Sequence, residues 1–62
     1  MSERPIRLLK LQEVKSMTSL GATTIYMKMD DGSFPRPLKI SPQCVRWRHS
    51  DIVDWINSLP TT

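Results

Sequence analysis

The chain has 62 residues, nine Lys and Arg against six Asp and Glu, and a net charge of +3. A chain this short buries only about 60% of its unfolded surface, so it builds one thin core and has no room for a deep substrate cleft. A single cysteine, Cys44, excludes an intrachain disulfide, and the absence of an apolar signal core or a long apolar run points to a soluble, cytoplasmic protein without a membrane partner.

Residues 1–6 form a polar arm containing Pro5, expected to be flexible, and residues 60–62 form a short tail. Between them lies one domain over residues 7–59. Arg7 to Leu9 can add a small strand. From Leu11 the spacing turns helical: Leu11, Val14 and Met17 recur every third residue, which predicts a helix ending near Thr18, with Met17 in the core and Glu13 placed to suit the helix dipole. Leu20 and Gly21 read as the turn to a second helix, with Gly21 free to take a positive φ. That helix runs from about Ala22 to Asp31, turns Ile25 and Met29 toward the first, and stops at Gly32. Two short helices joined by a tight turn form a helix-turn-helix, whose second member is the usual reader of DNA.

Pro35 and Pro37 then turn the chain out of helix, with Phe34 pinning the corner to the core. The stretch from Phe34 to Arg48 holds four Lys or Arg and no Asp or Glu. Period-two reading gives a two-stranded ribbon joined near Ser41, Pro42 and Gln43. Leu38, Ile40, Val45 and Trp47 fall on an apolar inner face, and Lys39, Arg46 and Arg48 on a cationic outer one. Ser50 is the expected cap of a third helix, with Asp51 and Asp54 near its start. Ile52, Trp55, Ile56 and Leu59 follow the i, i+3, i+4, i+7 pattern before Pro60 ends it.

Charge is segregated: +2 from Met1 to Leu20, −1 from Gly21 to Ser33, +4 from Phe34 to Arg48 and −2 from His49 onward. Such segregation favours a polyanion-binding face over a mixed solvated surface. Catalysis has little support. His49 and Cys44 make two soft ligands where structural zinc wants four. His49, Ser50 and Asp51 are adjacent and cannot converge as a triad. Gly21 and Gly32 stand apart and form no phosphate loop. No enzyme activity, cofactor or metal is expected. The two tryptophans share the phase of Val45 and Ile52, which favours core packing over base stacking.

The ordered pattern L-L-K-L-x-E-V, T-x-L, T-I-Y, M-x-x-G-x-F-P-x-P and V-x-W-R-x-S-x-I-x-x-W, running from about Arg7 to Ile56, resembles the AlpA family of prophage regulatory proteins. That family is similar to phage excisionases and to the N-terminal domain of MerR regulators. The resemblance implies a small α+β winged helix-turn-helix with three helices and a two-stranded hairpin wing, the second helix in the major groove and the wing against the backbone or minor groove. It implies regulation of integrase or excisionase genes or, alternatively, an excisionase that bends DNA and recruits integrase.

Carried over by position, Thr23, Thr24, Tyr26 and Met27 occupy the reading helix, with Lys28 snorkelling toward phosphate, and Arg36, Lys39, Gln43, Arg46 and Arg48 fall on the wing or its approaches. Family members often carry Arg where this chain has Ala22, Met27 and Gln43, and Leu where it has Lys28. The reading helix is therefore expected to contribute less to phosphate binding, and the wing more. Double-stranded DNA is the expected partner, with phage integrase and further copies of the chain on adjacent sites as additional candidates. A different class of reading is a basic protein-interaction module that meets an acidic partner.

Overall fold

The computed structural model describes residues 6–61. The expected arm therefore lies outside the described residues except for Ile6, and Thr62 of the expected tail lies outside them as well. The elements in chain order are β1 (Leu8–Leu9), α1 (Leu11–Thr18), α2 (Ala22–Asp30), β2 (Leu38–Ser41), β3 (Cys44–Arg48) and α3 (His49–Asn57). The strands form one antiparallel sheet in the order β1-β3-β2. This is a small α+β winged helix: a helix-turn-helix, a hairpin wing, and a closing helix, with the short strand at Leu8–Leu9 lying beside the ribbon as expected.

The core takes one fully or nearly buried side chain from each element but one. Leu9 of β1, Val14 of α1, Ile25 of α2, Trp47 of β3 and Ile52 of α3 meet Phe34 from the α2–β2 connection, while β2 contributes none. Leu11, Leu20, Met29, Trp55 and Ile56 pack around this cluster and are partly buried.

The connection from Ser33 to Pro35 is held from both sides by tryptophan. Trp47 Nε1 donates to the Pro35 carbonyl at 3.0 Å, and Trp55 Nε1 donates to the Ser33 carbonyl at 2.6 Å. Phe34 packs edge-on to Trp55, with ring centroids 4.7 Å apart at 64°. Pro residues limit the alternatives of this segment and the indoles satisfy its carbonyls, so a connection without regular structure is nevertheless fixed.

Helix α2 ends in a Schellman arrangement. The Ser33 N–H donates to the Lys28 carbonyl at 2.9 Å and the Gly32 N–H to the Met29 carbonyl at 3.2 Å, with Gly32 at φ 83°. The Asp31 carboxylate accepts the Ser33 N–H at 2.9 Å, and the Ser33 side chain and amide hold its carboxyl below the usual carboxylate range. The helix closes at Asp30, one residue short of the expected end.

Four expectations are corrected. The turn between α1 and α2 takes its positive φ at Ser19 (62°), whereas Gly21 is extended at φ −79° and ψ 164°. Thr18 makes this possible: its hydroxyl donates to the Val14 carbonyl at 2.8 Å and accepts the Leu20 N–H at 3.3 Å, closing the turn from the helix side. Met17, in the last turn of α1, is 37% exposed and lies outside the core, to which α1 contributes only Val14. Helix α3 starts at His49 with Arg48 as cap residue, not at Ser50, because the His49 N–H is taken up by the Arg7 carbonyl at 2.9 Å. It also stops at Asn57, which leaves Leu59 exposed beyond its end.

The fourth correction concerns the faces of the wing. A flush two-residue turn at Pro42 and Gln43 would set Ile40 opposite Val45 and Leu38 opposite Trp47. Instead Ser41 faces Cys44 but Lys39 faces Val45 and Leu38 faces Arg46, so Ile40 is an extra, unpaired residue. A one-residue bulge moves every later side chain of that strand to the other face. Leu38 therefore shares a face with Arg46, Arg48 and Leu8, Lys39 shares one with Val45, and only Trp47 of the expected apolar four is buried.

Candidate nucleic-acid interface

Ile25 fixes the orientation of α2. At 100° per residue, burying Ile25 and half-burying Met29 turns Thr23 and Met27 to the opposite side, flanked by Thr24 and Tyr26. Tyr26 is 46% and Met27 64% exposed, and both threonines are exposed. One helix face thus carries two hydroxyls on short stems, one phenol and one thioether, a mixed surface able to donate, accept and make apolar contact. Lys28 lies nearer the core side and is half-buried.

The two ends of α2 differ in charge and in satisfaction. Gly21 has no side chain with which to cap the first turn, and no side chain hydrogen-bonds there. By contrast, the start of α1 is closed by the Glu13 carboxylate, which accepts the Lys10 N–H at 2.9 Å and lies 3.5 Å from the Arg7 guanidinium. That amide, and then Arg7, hold the Glu13 carboxyl below the usual range. At the other end of α2, the Arg36 guanidinium donates to the Met29 carbonyl at 3.3 Å, which seats a cation on the negative end of the helix dipole.

On the wing, Gln43 occupies the turn and is exposed. Lys39 and Arg46 lie on the two facing strands but on opposite faces of the hairpin. The half-buried Arg46 donates from its guanidinium to the Val45 carbonyl at 2.7 Å, which lays the side chain along its own strand. Arg48 is four residues beyond Cys44, so it lies about 13 Å from the turn at 3.3 Å per residue. There it sits at the base of the wing opposite Leu8, near a shallow groove lined also by Ile6, Leu38 and Val53. The expected site residues thus fall into three groups and one outlier: Thr23, Thr24, Tyr26 and Met27 together on one helix face, Lys39, Gln43 and Arg46 on the hairpin, Arg36 and Arg48 at the junctions of α2 and α3, and Lys28 apart on the core side of α2.

Among the described residues the one ion pair is Arg7 with Glu13. Lys28, Arg36, Lys39, Arg46 and Arg48 have no carboxylate in ion-pair range within that set. No group of three His, Cys, Asp or Glu side chains there could hold a metal ion, and no helix is long and apolar enough to cross a membrane. Ile40 and Val45, both assigned inward by alternation, are 53% and 39% exposed. No glycine or other bulge signal marks the position of Ile40.

The model of the family described as prophage CP4-57 regulatory protein (AlpA) matches residues 7–59. The chain is 32% identical over 50 residues to the uncharacterized protein ORF88 of Enterobacteria phage P4, a match covering 81% of this chain and 57% of that protein. The chain therefore spans little more than half the length of that relative. No solved structure gives a significant match. With the family pattern extending from the first strand through the closing helix, the chain belongs to the AlpA family of prophage regulatory proteins.

Proposed function

We propose that the protein is a sequence-specific double-stranded DNA-binding regulator of a prophage or mobile element that controls integrase or excisionase genes. The observation that carries this reading is the orientation of α2: its core face is fixed by Ile25, and Thr23, Thr24, Tyr26 and Met27 stand together on the opposite side. A B-DNA major groove about 12 Å wide admits an α-helix. In it, the threonine and tyrosine hydroxyls reach base edges or phosphates, and Met27 makes apolar contact with thymine methyl groups.

The wing supplies the sequence-independent part. Lys39 and Arg46 neutralise phosphates on either side of the hairpin, Gln43 reaches in from the turn, and Arg36, Arg48 and Lys28 add charge at the flanks. Phosphate contacts fix register and affinity, whereas base contacts choose the sequence. Both the reader and the phosphate-binding group lie within the 56 described residues, 6–61.

The test is a comparison of two duplexes, one selected by the protein from a random pool and one of unrelated sequence. Tyr26→Ala is expected to weaken binding to the selected duplex about 5- to 150-fold, equivalent to about 1–3 kcal/mol of lost discrimination, and to leave the unrelated duplex unchanged. Equal losses on both would remove Tyr26 from the reading surface.

A further inference from the structure

We propose that Ile40 is an apolar wedge of the wing, set into the minor groove of bound DNA at a flexible base step and deforming it there. This inference rests on the DNA-binding reading above and deepens it. Single exposed aliphatic side chains are commonplace on protein surfaces. Ile40 is distinguished by how it comes to be exposed.

Three observations converge on this residue. The hairpin accommodates one residue too many on β2, and Ile40 is that residue: Lys39 faces Val45, Ser41 faces Cys44, and Ile40 faces nothing. A bulge bends its strand and re-aims the side chain it carries. Ile40 is 53% exposed, against 39% for Val45, the aliphatic residue on the facing strand. The strand that carries it supplies no buried side chain to the core, so the bulge serves no packing need there.

The surroundings identify the ligand class. From Phe34 to Arg48 there are four cations and no carboxylate. Ile40 adjoins Lys39 in the chain, and Arg46 lies on the facing strand one residue from Lys39's partner Val45. A branched aliphatic group beside Lys39, with Arg46 on the opposite face of the same hairpin, matches a surface with phosphates at its edges and apolar sugars and base edges between them. The minor groove, about 6 Å wide, offers that arrangement to a hairpin tip but not to a helix. Branched aliphatic side chains that enter it part-unstack a base step, most readily a pyrimidine–purine step, and kink the duplex.

The experiment uses the full chain and a duplex it selects from a random pool, end-labelled with a donor and acceptor dye so that bending shortens the end-to-end distance. Wild-type protein is expected to bend this duplex. Ile40→Ser is expected to bind about fivefold more weakly, the equivalent of removing one partly buried aliphatic contact, to lose most of the bend, and to keep the same dependence of affinity on salt because no cation is removed. Replacing the pyrimidine–purine step nearest the wing with a stiff A-tract should weaken the wild type but not Ile40→Ser. An unchanged melting temperature establishes that the variant is folded.

A wild-type complex with a straight duplex, or an Ile40→Ser complex bent like the wild type, would overturn the wedge while leaving DNA binding intact. An Ile40→Ser variant that binds and bends DNA normally but loses a protein partner would reassign the residue to that interface. Failure of the wild type to select any duplex would instead remove the DNA reading, and the wedge with it.

Discussion

Helix α2 brings Ile25 fully into the core and Met29 partly so, and its C-terminus is closed by Gly32, Ser33 and Asp31, whereas the hairpin has Trp47 as its one buried side chain and β2 contributes nothing. The charges are distributed the other way. Within α2 the only cation is Lys28, half-buried, while the acid-free stretch from Phe34 to Arg48 carries four. A rigidly seated helix with hydroxyl, phenol and thioether groups suits sequence choice, which depends on sub-ångström placement. A lightly anchored cationic hairpin suits phosphate binding, which tolerates displacement because counterion release depends on charge and not on fine geometry. On the function proposed above, the two regions divide affinity from specificity, and the division follows from how each is attached.

The largest effect that would test this contrast comes from the same kind of truncation made on each side. Ile25→Ala removes a fully buried side chain and is expected to cost about 2–5 kcal/mol. Ile40→Ala, on the exposed bulge, should stay within about 0.5 kcal/mol of the parent. Urea unfolding followed by circular dichroism measures both. A chain of this size has a total stability of only about 3–9 kcal/mol, so the first variant should lose a large fraction of it. Similar costs at the two sites would contradict the difference in anchoring.

A smaller effect is expected at Gly32. Its φ of 83° is left-handed, and a Cβ there meets no atom within 4 Å, so Gly32→Ala is penalised by backbone strain alone. The expected loss is about 1–2 kcal/mol, read in the same unfolding experiment. A neutral result would mean that the Schellman turn does not hold the end of α2.

The smallest effect concerns the start of α1, where Glu13 is held below its ordinary pKa by the Lys10 amide and then by Arg7. A carboxyl whose folded pKa is depressed stabilises the fold above its unfolded pKa, about 4.3. That stability is lost as pH falls through the lower folded value. Glu13→Gln should therefore melt at a lower temperature than the parent at pH 7, with the gap closing as pH drops below about 4. A gap independent of pH would show that the carboxylate's charge plays no part.

Much of this architecture was legible in residue spacing. Leu11 with Val14, Ile25 with Met29, and Ile52 with Trp55 and Ile56 marked three helices, because core-facing positions repeat at the helical period. Gly32 marked the end of α2, because a left-handed residue was needed there. Pro42 and Gln43 marked the turn of the wing. What spacing could not reveal was a bulge without a glycine: Ile40 shifts the β2 register by one, and alternation read from sequence assumes that no residue is skipped. The left-handed Ser19 was hidden for a related reason. Gly21 is the better former of that conformation, but the hydroxyl of Thr18 closes the turn two residues earlier. The indole bonds from Trp47 and Trp55 to the Ser33–Pro35 connection join residues 12 and 22 positions apart, beyond any local pattern. Of the interface, the composition of each group could be read in advance, but not the face of the hairpin that Lys39 occupies.

The most direct test of the division between wing and reading helix is the salt dependence of binding by Arg46→Ala, measured on the selected and the unrelated duplex alike. Loss of one phosphate-neutralising cation should weaken binding to both by the same factor and flatten the slope of log affinity against log salt by about one unit. An unchanged slope, or a loss confined to the selected duplex, would contradict the assignment of affinity to the wing and of sequence choice to α2.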